Sequence, residues 1–241
     1  MSGSNRITLS RRTLLTAAGT SALMLPARPT RAGGLATTPG QTEGPFYPPE
    51  LPRDMDADLV RVTGADAQAL GVVTHVTGRV LDARGRPLPG HLVEIWQCDA
   101  HGRYLAERRS SWSDWLRKRE TPDLGFQGYG RTLTDAGGGY WFRTIRPVPY
   151  PGRTPHIHFK VGCCGRELLT TQMYVAGEPG NERDGIYGGL VADERERVTV
   201  ALRPAPEIEG RSTGRHVRDR PRCLMWPRSC HDDARSPQHS R

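Results

Sequence analysis

Glycine and proline interrupt this chain from end to end, 28 and 20 of them among 241 residues, with no Gly-x-y period. That spacing constrains the fold more than any other feature. Proline lacks the amide donor that a helix or inner strand needs, and glycine loses the most backbone freedom on ordering, so long helices are excluded. Without the three-residue period, collagen is excluded as well. Between these breaks lie short runs with β-strand character: Thr77–Leu81, His91–Gln97, Arg131–Thr134, Tyr140–Ile145, His156–Gly162, Glu167–Val175 and Arg197–Leu202. Asp82 to Gly90 and Asp135 to Gly139 separate neighbouring runs with turn-setting residues. The pattern predicts an all-β protein, a β-sandwich of two mixed or antiparallel sheets with long loops at its site. A 36% hydrophobic content over this length can fill one such core.

The charge is not spread over that predicted domain. Residues 1–32 hold five arginines and no acid, and residues 211–241 hold eight arginines against three aspartates. These ends carry +10 of a total of +8, which leaves −2 for everything between them. A nucleic-acid footprint would lie on the folded domain, so a nucleic-acid partner is not expected. Ser10-Arg11-Arg12-Thr13-Leu14-Leu15 opens a mildly apolar run to Leu25, followed by small residues around Ala32. This is the layout of a twin-arginine export signal over residues 1–32, too short for a permanent membrane span, and it predicts a periplasmic or extracellular protein. Residues 33–50 then read as an extended arm, 51–210 as the β-sandwich domain and 211–241 as a basic, low-order tail. Arg108–Thr121 reads as a surface loop or short helix. The tail lacks a period-2 apolar run and resembles a GC-rich gene read out of frame, so a frameshift near residue 210 is the working hypothesis, against a basic disordered extension. A missing closing strand would leave a sheet edge unpaired.

Cys98, Cys163 and Cys164 fall in the domain, Cys223 and Cys230 in the tail, and no C-x-x-C pattern occurs. Adjacent cysteines are strained partners for one another, so Cys98 with either of them is an open pairing after export.

Chemistry concentrates in Pro149-Tyr150-Pro151-Gly152-Arg153-Thr154-Pro155-His156-Ile157-His158-Phe159. On a strand, His156 and His158 project from one face while Ile157 and Phe159 face the other layer. Two imidazoles on one face can share a metal, although a solvated strand carrying two histidines is the plain alternative. The rigid Pro-Tyr-Pro segment would hold Tyr150 close to the strand start, which makes it a plausible third ligand.

Six blocks in order then resemble the intradiol ring-cleavage dioxygenases, and more closely their protocatechuate 3,4-dioxygenase branch. They are Gln41 to Pro48, Gly78 through Gln97 to Gly102-Arg103-Tyr104, Gly130 to Asp135, Tyr140 to Ile145, Pro149 to Phe159, and Leu169 to Tyr174. The resemblance implies a non-haem Fe(III) held by Tyr104, Tyr150, His156 and His158. It implies that Arg153 faces the aromatic substrate, that Gln172 lies near the carbon that reacts with oxygen, and that Tyr150 takes up a substrate proton. Gly44, Pro45 and Tyr47 would border the substrate pocket, and Trp96 would serve as a wall. The implied reaction opens a catechol-type ring with O2 between its hydroxyl-bearing carbons to a cis,cis-muconate-type product, with no external reductant. A homo-oligomer is compatible with the family, and protocatechuate, catechol and hydroxyquinol all stay open as substrates.

The donor set makes chemical sense by itself. Phenolates are hard anionic donors that favour Fe(III), and a ferric centre lowers phenol pKa values enough to keep them ionised. Two phenolates and a hydroxide neutralise the ion, so the site tolerates burial. Two other classes compete: an exported non-catalytic β-sandwich binding module, since the Gly78–Glu94 hairpin also resembles such modules, and a zinc hydrolase using the His pair. Zinc catalytic sites prefer His and carboxylate to Tyr, and a binding module has no need of the four donors together.

Overall fold

The computed structural model describes residues 35–104, 122–204 and 222–226. The twin-arginine pattern and the Arg108–Thr121 segment lie outside the described residues. The strands are β1 (Val73–Asp82), β2 (Leu92–Trp96), β3 (Tyr129–Leu133), β4 (Gly139–Ile145), β5 (His156–Cys163), β6 (Arg166–Val175), β7 (Thr199–Val200) and β8 (Arg222–Trp226). They form a three-stranded sheet in the order β4-β1-β8 and a five-stranded sheet in the order β3-β2-β5-β6-β7. The β1–β8 and β6–β7 pairs are parallel and the other pairs antiparallel. The expected two mixed sheets are therefore present, with six of the seven anticipated strands near their predicted places.

Two expectations are corrected. Arg197–Leu202 is not a strand: residues 192–198 form helix α2 (Ala192–Val198), and only Thr199 and Val200 extend into β7. A shorter helical turn, α1 (Gly185–Gly188), precedes it. In α2, Asp193 and Glu194 occupy the first turn and Arg195 and Arg197 the last, which suits the helix dipole. Arg197 also reaches Asp193 one turn back at 2.8 Å. The β1 edge is also not left open. β8, from the tail, pairs along it from Gly78↔Arg222 to Asp82↔Trp226. Its Cys-Leu-Met-Trp run is continuously apolar, so a search for period-2 alternation passes over it.

The core lies between the sheets. Val76 and Val80 of β1 and Tyr140 and Phe142 of β4 meet Val93 and Ile95 of β2, Ile157, Phe159 and Val161 of β5 and Leu169 of β6. Alternation then sends Trp96, His156, His158 and Lys160 to the opposite face of the five-stranded sheet. The N-terminal arm crosses that sheet, with the Gln41 amide donating to the Thr170 carbonyl at 2.8 Å and the Thr171 hydroxyl to the Pro39 carbonyl at 2.8 Å.

Cys98 is buried with Trp96, Tyr104 and Tyr129, whereas Cys164 is exposed in the β5–β6 turn. Trp96 is level with His158, five residues short of the turn, so a Cys98 bridge to Cys163 or Cys164 does not form.

Candidate functional site

Register assembles the site. Tyr129, Trp96, His158 and Gln172 stand level across β3, β2, β5 and β6, and His156 stands opposite Tyr174. Residues distant in sequence thus share one face of one sheet. The His158 ring stacks on Trp96, centroids 4.7 Å apart at 10°. His156 donates from Nδ1 to the Thr154 carbonyl at 2.6 Å. That bond fixes its tautomer and leaves Nε2 unprotonated, with its lone pair directed at the other donors, the arrangement a metal-binding imidazole uses. The two Nε2 atoms are 3.2 Å apart, and the Tyr104 hydroxyl is 3.4 Å from that of His156. Tyr150 sets its ring edge-on to Tyr104, centroids 5.7 Å apart, and 5.6 Å from His156. The four predicted ligand side chains therefore come together.

Two loops bring the tyrosines there. Tyr150-Pro151-Gly152-Arg153 is a turn closed by the Arg153 amide donating to the Tyr150 carbonyl at 2.9 Å, with Gly152 at φ +82°. Proline second and glycine third is the type II arrangement. It places Tyr150 beside Arg153. In the other loop, Asp99 is fully buried, and its Oδ1 accepts the His101 and Arg103 amides at 2.9 and 3.0 Å, which sets the bend before Tyr104. Gly102 at the bend has φ +75°, and a Cβ there would stand 3.2 Å from both the Pro149 carbonyl and the Tyr150 Cβ. Gly102→Ala is expected to cost about 2 kcal/mol through the left-handed backbone alone. It should also push Tyr150 away from Tyr104. Thermal melting checks the first effect, and iron content of the purified variant checks the second.

Burial dominates the electrostatics. It drives the Tyr104 phenol well above its ordinary value, aided by the neighbouring Tyr150, and it raises Tyr150 while the Arg153 cation opposes it. It pushes His156 down to about 4, and His158 is held well below its usual value by burial and then by His156. These are neutral phenols and neutral imidazoles in a desolvated pocket. Such phenols ionise only when a strong cation joins them, and a hard trivalent ion fits this donor set. Among the described residues no group of three or more His, Cys, Asp or Glu gathers as a metal site, so a metal here needs the phenols.

Arg153 points along the same wall. Its Nε donates to Asp184 Oδ2 at 2.8 Å and its Nη2 to Gln172 Oε1 at 2.6 Å. The Gln172 amide nitrogen donates to the Thr42 carbonyl at 3.0 Å, which ties the arm to the site. Gly44 backs onto His158, with its Cβ position 3.5 Å from the His158 Cε1, and Pro45 is exposed beside it. Tyr47 meets Trp96 edge-on at 5.0 Å and donates to Glu94 at 3.1 Å, while Lys160 Nζ sits 3.6 Å over its ring. All the predicted pocket residues therefore lie around the donors or on the arm that covers them. Sequence reasoning missed Asp184, Asp99, Glu94, Thr154 and Phe46, whose ring stacks on Tyr104 at 4.6 Å. Phe46, Glu94 and Thr154 lie inside quoted blocks that gave them no role, and Asp184 lies outside every block and carries no local signal.

The chain is similar in sequence and fold to several known proteins. A family profile described as "Dioxygenase" matches residues 42–203, a range that includes the arm from Thr42 onward, both histidines and both tyrosines. The protocatechuate 3,4-dioxygenase beta chain of Burkholderia cepacia is 36% identical over 179 residues, 70% of this chain and 73% of that one. A catechol 1,2-dioxygenase of Acinetobacter baylyi is 30% identical over 194 residues, 72% of this chain and 58% of that one, so this chain spans little more than half of that relative. Among solved structures, the dioxygenase domain of a dioxygenase and carbohydrate-binding protein fusion from Streptomyces sp. SirexAA-E superposes with a TM-score of 0.54 at 30% identity, covering 80% of this chain and 99% of that domain.

Proposed function

Since the chain belongs to the intradiol ring-cleavage dioxygenase family, we propose that it is a non-haem Fe(III) enzyme that opens a catechol-type ring with O2 between its two hydroxyl-bearing carbons, giving a cis,cis-muconate-type product. The observation that carries this reading is the meeting of two phenols and two imidazoles at one buried point, with the His156 tautomer already set for coordination. Tyr104, Tyr150, His156 and His158 would hold the iron, which when bound supplies the Lewis acidity that ionises phenols and activates a chelated catechol toward O2.

The chain's own groups do the rest. Tyr104 is almost wholly buried beneath Phe46, while Tyr150 is half-buried on a turn. The Tyr150 phenolic oxygen is therefore the better placed of the two to take up a proton from an arriving catechol. Arg153 cannot lose its charge, and Asp184 and Gln172 hold its guanidinium in one orientation, so it can stabilise negative charge developing on the ring. Gln172 acts in that position through Arg153 as well as on the reacting face. Trp96 and Tyr47 wall the site and exclude water. Protocatechuate, catechol and hydroxyquinol are the substrates to compare, the first favoured by the Burkholderia relative. The twin-arginine pattern supports an exported catalyst.

The test is a visible absorption spectrum of the purified protein, with iron and zinc measured on the same sample. The proposal expects about one iron per chain and a broad tyrosinate charge-transfer band that shifts when a catechol is added without oxygen. A colourless protein after iron reconstitution overturns it. Zinc retained in its place would point to a hydrolase, and no metal at all to a binding module.

A further inference from the structure

The turn joining β5 to β6 contains a second cluster of metal-type donors, remote from the site above. Cys163 ends β5, Cys164 and Gly165 form the turn, and Arg166 begins β6 opposite Cys163. Cys164 has φ +53° and Gly165 φ +76°, so both central residues are left-handed, as a type I′ hairpin turn requires. Asn or Asp with Gly is the usual pair there, and Cys164 is the only non-glycine residue with positive φ among the described residues. The outcome of this conformation is a close approach of the two sulfurs, 3.2 Å, at an exposed tip. A Cβ on Gly165 would meet nothing within 4 Å, so the approach to the tip is open. Counting along β5 from His156, the pair is about 23 Å from the candidate centre.

We propose that Cys163 and Cys164 form a chelating site for trivalent arsenicals. The sulfur separation selects the ligand. With sulfur about 2.3 Å from the bound atom, as in zinc thiolates, a 3.2 Å bite subtends roughly 90° at that atom. Tetrahedral zinc would spread the sulfurs to about 3.8 Å, and it would need further ligands that two cysteines do not supply. Trivalent arsenic is pyramidal, its lone pair compresses its bond angles toward a right angle, and two thiolates with one other substituent complete it. With phenylarsine oxide the two S–H bonds break and two As–S bonds form. The oxygen leaves with both thiol protons as one water, and arsenic stays trivalent, so no oxidant is involved. The two sulfurs already stand at the separation the chelate needs, so closing the ring requires little movement.

The test uses the full chain reduced with a phosphine, treated with phenylarsine oxide in the presence of excess 2-mercaptoethanol, and read by intact mass and peptide mapping. One phenylarsenic adduct on the Cys163–Cys164 peptide, resistant to the monothiol and released by 2,3-dimercaptopropanol, is expected. Cys163→Ser and Cys164→Asn should each lose it at least tenfold, the second with a residue that suits the turn and so keeps the hairpin folded. No adduct on the native chain, or an adduct unchanged in Cys164→Asn and mapping to Cys223 and Cys230, overturns the proposal. Neither readout involves iron or ring cleavage, so failure here is separable from failure of the dioxygenase reading.

Discussion

Replacing His158 with alanine is expected to strip most of the bound iron and to lower ring cleavage by about a thousandfold. The size follows from what a Lewis-acid centre supplies, several kcal/mol of charge stabilisation, with each 1.36 kcal/mol worth a factor of ten. His158 is well placed to show the full effect. It is buried, its Nε2 lies 3.2 Å from that of His156, and its ring orientation depends on the Trp96 stack and on Gly44 behind it. Its Nδ1 has no hydrogen-bond partner, so unlike His156 it is not tied to the backbone through that nitrogen. Losing the ring also leaves a void against Trp96 that should cost about 2–4 kcal/mol, so a melting curve must accompany the assay. His158→Gln fills more of that void and separates the two effects: it should recover stability without recovering iron. An alanine variant that keeps its iron and turns over at the native rate would remove His158 from the centre, and with it the four-donor reading.

What could be read from the sequence was local. The His156/His158 face and the Ile157/Phe159 face follow from strand alternation, and the place of Tyr150 near the strand start from the rigid Pro-Tyr-Pro segment, all within a few neighbours. Tyr104 was reached through a motif rather than through periodicity, and the structure brings it within hydrogen-bond range of a histidine 52 residues away. Asp184 and Glu94 were beyond reach because an isolated acidic residue looks the same whether solvated or buried against a partner. Asp184 finds Arg153 from 31 positions away, and Glu94 finds Tyr47 from 47. The two misread elements share a cause in short-range ambiguity. Val198-Thr199-Val200 looks like a strand, but the preceding Asp-Glu-Arg-Glu-Arg run winds into α2 and leaves only its last two residues extended. Cys223 to Trp226 is apolar without alternating, and only pairing with β1 makes it a strand.

Asp184→Ala should be the most damaging change outside the four donors. The carboxylate is completely buried and every oxygen is used: Oδ2 accepts from Arg153 Nε at 2.8 Å and the Thr154 amide at 3.0 Å, and Oδ1 from the Ile186 and Tyr187 amides at 2.9 and 3.1 Å. It thereby caps α1, holds the charged group over the site and anchors the amide of Thr154, the residue whose carbonyl orients His156. Removing one member of a buried ion pair leaves the other charge uncompensated, at a cost of about 3 kcal/mol here. Melting should fall by about 6–12 °C for a chain of this size. Because Arg153 would then be held by Gln172 alone, its orientation loosens and kcat should drop on the order of a hundredfold, with iron content retained. Acid should produce the same loss by titration. Burial alone would raise this carboxyl, but the Thr154 amide, Arg153 and the Tyr187 amide outweigh it and hold it below the usual value. The unfolded chain therefore takes up this proton first as acid is added. The contribution is complete above about pH 4 and drains as the pH falls through the lower folded value. Asp184→Asn, which cannot titrate, should melt well below the native chain near neutrality and converge with it in acid. Parallel melting curves for the two proteins across that range, or an alanine variant as stable as the native chain, would show that Asp184 does not carry this load.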